Sequence, residues 1–455
     1  MRAGYLFQVI NLVVSILSVP LLLRYLNVGE YVLWAIFTTF GTVTAQLQNA
    51  IQFVSTRQIA YAHVSADPNK LNSAILRTKA AYRRLLLIIV GPFFLTGVAY
   101  LNYVAKPHLG INAVPEWCVF VIAYLVTYEF APNNAILLGS LRVSTNNHIL
   151  SFTRVLYFAC TFLTLKAGLS IAGICLSFLV SQVVGSSLGA YQARKCLTAY
   201  RASPQGVFAA SAEFRSGVQP NIRMYAVYMI ASFALYNGSL LIATALFPKG
   251  AVASYALGLQ SNMMLLALAQ VPLQVWLSRF VGAIVSRDER KVMHELSVSI
   301  VVCNAVFLTA FASLAIFGNV LLGLLRSHVM LPATGRLLLM SVAFLVELNI
   351  ALLVNFLVNK GNYRFVRVYA VTSGIAILIG LLVASIFDRF MLGLIAVPLV
   401  LQVAISLPFT VKLACAELDV TATALARGIG TVLITLYRTG GFNSAPDVAG
   451  SSDGR

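Results

Sequence analysis

Acidic side chains are scarce in this chain. Only 14 Asp and Glu stand against 32 Lys and Arg in 455 residues, and charged residues together make up 10% of it. A soluble surface needs more charge than that. Hydrophobic residues reach 59% and mean hydropathy is +0.86, so the chain reads as an all-α polytopic membrane protein. Also missing are a glycine-rich phosphate loop, a metal-binding cluster of acids and a long loop. Those absences argue against nucleotide hydrolysis and against a membrane enzyme such as a glycan polymerase or lipid-linked glycosyltransferase. The longest loop, 192–222, is too short to fold a domain of its own. The six cysteines are scattered without a CxxC pair, and read as small apolar packing residues. The first apolar run lacks a small-x-small cleavage site, so it reads as a retained helix.

What is present is a series of apolar runs. They predict twelve helices near 5–26, 31–54, 85–105, 117–141, 149–166, 169–191, 223–246, 251–278, 296–325, 336–358, 366–386 and 389–411. The net charge of +18 would suggest nucleic acid in a soluble protein, but here the basic residues lie between the runs, and no nucleic-acid partner is expected. Alternate loops are the richer ones, with Arg57, Lys70, Arg77, Lys79, Arg83 and Arg84 in the first and Arg194, Lys195, Arg201, Arg215 and Arg223 in a later one. This bias puts both termini in the cytoplasm of a multi-pass protein. After Lys412, residues 421–438 are interrupted by Arg427 and read as an interfacial helix, followed by a Gly/Ser-rich disordered end.

The halves echo each other at a period of six helices. LLLRYLNVGEYVLW (21–34) is similar to LLIATALFPKGAVASYAL (240–257), and STRQIA (55–60) to LSRFVG (277–282). Two pseudo-symmetric six-helix lobes are therefore expected: 1–200, a cytoplasmic linker 201–222, then 223–412, with 413–455 as a cytoplasmic tail. Helices 4 and 10 are equivalent under this repeat and carry the acids Glu129 and Glu347. Each acid stands thirteen residues before the next basic residue, Arg142 or Lys360. Thirteen helical residues rise roughly 20 Å, so both acids are expected deep in the bilayer at matching depth. Intramembrane acids mark functional sites by default, so Glu129, with Asn133 one turn on, and Glu347 read as proton or sodium coupling sites. The alternative is a structural acid bonded to a neighbouring helix. No other cofactor and no metal is called for.

Polar stripes recur in equivalent helices. Helix 1 aligns Gln8, Asn11, Ser15 and Ser18, and helix 7 aligns Asn221, Tyr225, Tyr228, Ser232, Tyr236 and Ser239. Helix 2 adds Thr38, Thr42, Asn49, Gln52 and Thr56, and helix 8 adds Gln260, Met263, Gln270 and Gln274. Lipid would not tolerate so many polar groups, so these faces are expected to look inward, onto a hydrophilic cavity or onto hydrogen bonds between helices. Tyrosines, amides and hydroxyls also suit sugars. Arg24, Arg57, Arg223 and Arg279, at helix ends, are candidate ligands for a diphosphate. Gly173, Ser177, Ser181, Gly185 and Gly189 form a small-residue ridge on helix 6, read as a close helix contact. Pro20 and Pro272 are hinge candidates.

LLLRYLNVGEYVLWAIFTTFG followed by STRQIA, the run QVWLSRFVGAIVSRDERK and the segment NFLVNKGNYRF resemble the multidrug/oligosaccharidyl-lipid/polysaccharide (MOP) exporter superfamily, and within it the Wzx-type polysaccharide flippases. The likeness is a diffuse texture over residues 3–412. It implies a MATE-like fold that moves undecaprenyl-diphosphate-linked oligosaccharide across a bacterial cytoplasmic (inner) membrane by alternating access, for O-antigen or other surface polysaccharide synthesis. It also implies lipid-linked oligosaccharide and membrane lipids as partners, alongside other polysaccharide-assembly proteins, and no enzymatic activity. The alternative within the superfamily is an ion-coupled multidrug exporter.

Overall fold

The computed structural model describes residues 2–64, 68–197, 219–273, 280, 283–284, 288–324, 327–386 and 391–439. Within them the chain forms helices and no strand. The helices are α1 (Arg2–Tyr25), α2 (Val28–Val64), α3 (Pro68–Tyr100), α4 (Val114–Gly139), α5 (Val143–Lys166), α6 (Ser170–Leu197) and α7 (Gln219–Leu246). They continue as α8 (Lys249–Ala269), α9 (Glu289–Leu324), α10 (Thr334–Lys360), α11 (Phe365–Ile386), α12 (Gly393–Leu401) and α13 (Ala422–Thr439). Each of the twelve expected runs falls on one of α1–α12. Ten of these helices, α3–α12 with their continuations, are long and apolar enough to cross a bilayer. The helix α2 is not among them despite its 37 residues, because threonines and amides dilute its apolar run.

Two helices extend through a π-helical turn. Beyond Tyr100, α3 passes through Leu101–Ala105 into Lys106–Leu109, and α12 passes through Gln402–Ser406 into Leu407–Glu417. In both places a proline, Pro107 or Pro408, stands two residues past the turn. Proline offers no N–H to the carbonyl four residues back, which lies in the middle of the turn, and a wider register removes the need for that bond. Helix ends use local chemistry of the same kind. Asn27 and Glu30 cap α2 reciprocally, each side chain accepting from the other's backbone N–H at 2.9 Å. Gly168 and Gly361 close α5 and α10 in the left-handed region, at φ 80° and 81°.

Internal contacts divide the chain into two compact units. The first comprises Met1–Gln260, Phe317–Ala333 and Ser373–Leu394. In it α4 lies between α2, α3 and α6, with α1 against α5 and α2 against α7. Trp117 organises an aromatic core with Phe37, Phe40, Phe93 and Phe120, at ring distances of 5.2, 5.4, 5.0 and 5.6 Å. The helix-6 ridge lies on α5. A Cβ at Gly185 would come within 2.1 Å of Thr153 and one at Gly173 within 2.8 Å of Thr164, so only glycine allows that approach. The second unit comprises Ser261–Ile316, Thr334–Thr372 and Ile395–Arg455. Its helices are tied by polar pairs: Asn304 and Asn349 exchange side-chain hydrogen bonds at 2.9 Å, and Ser341 donates to Asn262 at 2.7 Å. The expected interfacial segment is the helix α13, which lays Gly428, Ile429 and Val432 against the start of α9 and leaves Leu433 and Ile434 exposed. Of the linker, 201–218 lie outside the described residues, as does the tail beyond 439.

Candidate functional site

Glu347 lies in the middle of α10 and is buried, only 3% exposed. Tyr369, one turn into α11, donates its hydroxyl to both carboxylate oxygens, at 2.9 and 2.8 Å. Gln402 donates its amide to the same carboxylate at 2.7 Å. Gln402 is the first residue of the π turn in α12 and is itself buried. The acid therefore joins three helices of the second unit. A carboxylate in low dielectric is stable only when its lone pairs are filled, and two neutral donors reaching it from separate helices supply that. Any change in its protonation alters what Tyr369 and Gln402 must do.

Glu129 is placed differently. Tyr124, Tyr128, Ala131 and Ala135 turn toward α2, where Tyr128 donates to the carbonyl of Thr44. At about 100° per residue, Ile122, Glu129 and Asn133 fall on the opposite side of α4. Glu129 is exposed there in a pocket of about 630 Å³ between α3, α4 and α6. Lys79, Arg83, Arg194 and Asn133 line the same pocket. Among the described residues Glu129 has no hydrogen-bond or ion-pair partner, and neither have the three cations. The sequence placed Lys79 and Arg83 in a loop, because hydropathy registers only the apolar part of a helix. In the structure α3 begins at Pro68, so both are held on its turns.

The stripes divide by chemistry. Ser18, Thr38 and Thr42 give their hydroxyls to carbonyls of their own helix's preceding turn, the bland outcome for small hydroxyls. The amides do not. Asn11 and Gln52 are half-buried and Asn49 exposed, and among the described residues none of the three has a hydrogen-bond partner. On α7, Tyr225 and Tyr228 lie 6.1 Å apart and tilted at 32°, and Tyr228 and Tyr236 are buried. Near one end of the first unit, two tyrosines cross between the sequence halves. Tyr31 donates to Gln260 at 2.8 Å, and Tyr100 to the carbonyl of Leu241 at 2.7 Å.

The arginines are not gathered. Arg24 is exposed at the end of α1, with its guanidinium 5.7 Å from the ring of its neighbour Tyr25. Arg223 is exposed near the start of α7, far along the bundle from the Tyr100–Leu241 end. The side chains of Gln8, Arg57 and Asn221, and Gln274 and Arg279 altogether, lie outside what the structure describes. The sequence reading missed Tyr369 and Gln402. A lone amide in the strongly apolar run 391–411 was the available signal for Gln402.

No protein-family model matches the chain, and no curated protein matches it in sequence. Its fold does match solved transporters. A eukaryotic MATE transporter, AtDTX14, aligns with TM-score 0.63 at 15% identity, covering 95% of this chain and 98% of its own. A multidrug resistance MATE family transporter of the MOP superfamily, in its inward-facing conformation, aligns with TM-score 0.61 at 14% identity over 90% and 95% of the two chains. A MOP superfamily transporter from Pyrococcus furiosus, described as having a binding pocket of reversed polarity, aligns at 0.54 and 13% over 92% and 97%. The fold is MATE-like.

Proposed function

We propose that this chain is a membrane transporter of MOP type that moves a lipid-linked oligosaccharide across the bacterial cytoplasmic membrane, using two six-helix lobes that alternate access. The carrying observation is the set of amides without partners, Asn11, Asn49 and Gln52, on helices whose stripes hold no carboxylate apart from the cap residue Glu30. Amides and tyrosines satisfy hydroxyl-rich neutral ligands, whereas an organic cation would call for an acid there. Arg57 and Arg279, which the sequence repeat pairs between the two halves, are the cations assigned to the diphosphate; Arg24 and Arg223 stand further from such a role. Glu347 is assigned the ion coupling, because its protonation is linked to three helices at once. The coupling ion in this reading is a proton. Tyr31–Gln260 and Tyr100–Leu241 are the contacts that would have to part when the outer side opens.

A second reading, multidrug export, is favoured by the fold match to a multidrug resistance transporter. One experiment separates the two. Purified protein is reconstituted into vesicles carrying a fluorescent undecaprenyl-diphosphate oligosaccharide in one leaflet, and parallel vesicles are tested with a fluorescent organic cation. The glycan lipid is expected to change leaflets in the wild type and to stay in place in Asn49→Leu/Gln52→Leu. Cation movement under a proton gradient with a stationary glycan lipid would establish the drug-export reading instead.

A further inference from the structure

We propose that the pocket between α3, α4 and α6 holds the headgroup of a zwitterionic aminophospholipid, its phosphate among Lys79, Arg83 and Arg194 and its primary ammonium on Glu129. Three observations carry this beyond the transport reading. The first is the charge pattern, three cations and one carboxylate lining a single pocket with no ion pair formed among them. A simple phosphate would satisfy the cations and be repelled by Glu129, and an amine alone would do the reverse. A headgroup with a phosphate and an ammonium a few bonds apart satisfies both, and Asn133 adds an amide for the ester oxygens. The volume of about 630 Å³ lies within the range of small-molecule sites.

The second is what adjoins the pocket. Leu87, one turn beyond Arg83 on α3, is 75% exposed. Ile122, two turns before Glu129 on α4, is 47% exposed, and Val183, on the Arg194 side of α6, is 43% exposed. Each helix thus carries a bare apolar side chain toward the bilayer's interior, where acyl chains would lie. A soluble anion would need no such surface. The third is location. The pocket is lined by α3, α4 and α6 alone and includes none of the stripe residues of α1, α2, α7 or α8. It is therefore separate from the stripes assigned to the transported substrate.

The test is lipid retention by the full-length protein in detergent, read by native mass spectrometry. The probe is an equimolar mixture of phosphatidylethanolamine, phosphatidylcholine and phosphatidylglycerol with identical acyl chains. Phosphatidylethanolamine should be retained about fivefold over each of the others, since the trimethylated headgroup cannot donate hydrogen bonds to Glu129 and the glycerol headgroup has no ammonium. Glu129→Gln should abolish the preference over phosphatidylglycerol while keeping total lipid bound, and Arg83→Gln/Arg194→Gln should release all three. Both variants change exposed side chains, and an unchanged helical circular dichroism melt serves as the folding control. Equal or greater retention of phosphatidylglycerol by the wild type overturns the proposal, as does a preference that survives in Glu129→Gln. Binding is read without transport, so a negative result here leaves the flippase reading standing, and a failed flippase assay leaves this site standing.

Discussion

Glu129 and Glu347 stand on helices that the sequence repeat pairs, at the same distance from the basic residue that follows, and they have opposite surroundings. Glu347 is closed in by Tyr369 and Gln402, donors from two other helices. Glu129 faces an open pocket shared with three cations it does not touch. The contrast lies in the neighbours. In the second unit α12 turns an amide inward at its π turn, whereas in the first α3 and α6 place Lys79, Arg83 and Arg194 around the acid's pocket. A sequence repeat fixes where an acid sits along a helix, and what that acid can do is decided by the helices packed beside it.

The widest gap should appear in stability. Glu347→Leu preserves volume but takes the acceptor from a buried hydroxyl and a buried amide, at about 1–3 kcal/mol for each group so deprived. Glu129→Leu removes an exposed side chain without a partner and should leave the unfolding midpoint in place. Helical circular dichroism during heating in detergent measures both, and equal midpoints would dissolve the distinction between the two acids. Next in size is transport. If Glu347 is the proton site, Glu347→Gln should flatten the pH dependence and cut the maximal rate by about tenfold or more, the usual weight of a positioned proton-transfer group. Glu129→Gln should retain the wild-type pH profile in the same vesicle assay. A flat profile in Glu129→Gln with a normal one in Glu347→Gln would reverse the assignment.

A smaller effect sharpens the comparison. Hydrogen bonds between helices in membranes average about 0.6 kcal/mol and reach about 1.7. A double-mutant cycle of Tyr369→Phe with Glu347→Gln should therefore return a coupling of that size. The matching cycle of Lys79→Gln with Glu129→Gln should return none, because no contact joins the pair in the lipid-free protein.

Much of this architecture was legible from hydropathy. Among the described residues all twelve apolar runs fall on helices, since burying a backbone in lipid leaves the helix as the only unclosed solution. The helix-6 ridge was legible too, because a small residue at every fourth position has few uses besides close approach. Other features were hidden, for physical reasons. Charged turns of α3 read as loop because a helix leaving the bilayer loses its apolar signature while keeping its hydrogen bonds. The partners of Glu347 are set by tertiary packing at sequence separations of 22 and 55 residues, which no periodicity reports. The stripes named hydroxyls and amides alike, and only the structure shows that the hydroxyls of Ser18, Thr38 and Thr42 are spent on their own helix.

The smallest expected effect concerns the two π turns, where one backbone device serves different neighbours. Pro408→Ala restores an N–H that can pair with the carbonyl of Ala404, which favours the ordinary α register and removes the cause of the wider turn. Stability should change by about 1 kcal/mol or less, since one backbone bond gained is set against local repacking. The informative quantity is the coupling to Glu347. In an ordinary register Gln402 rotates relative to α10, so Gln402→Leu should cost less in the Pro408→Ala background than alone, by about the value of the one hydrogen bond it donates. Pro107→Ala makes the same change beside the turn Leu101–Ala105, which holds no partner of a buried acid, and should leave the pH profile of transport untouched. Equal penalties for Gln402→Leu in both backgrounds would mean that Gln402 reaches Glu347 whatever the register, and that the turn in α12 answers only to its proline.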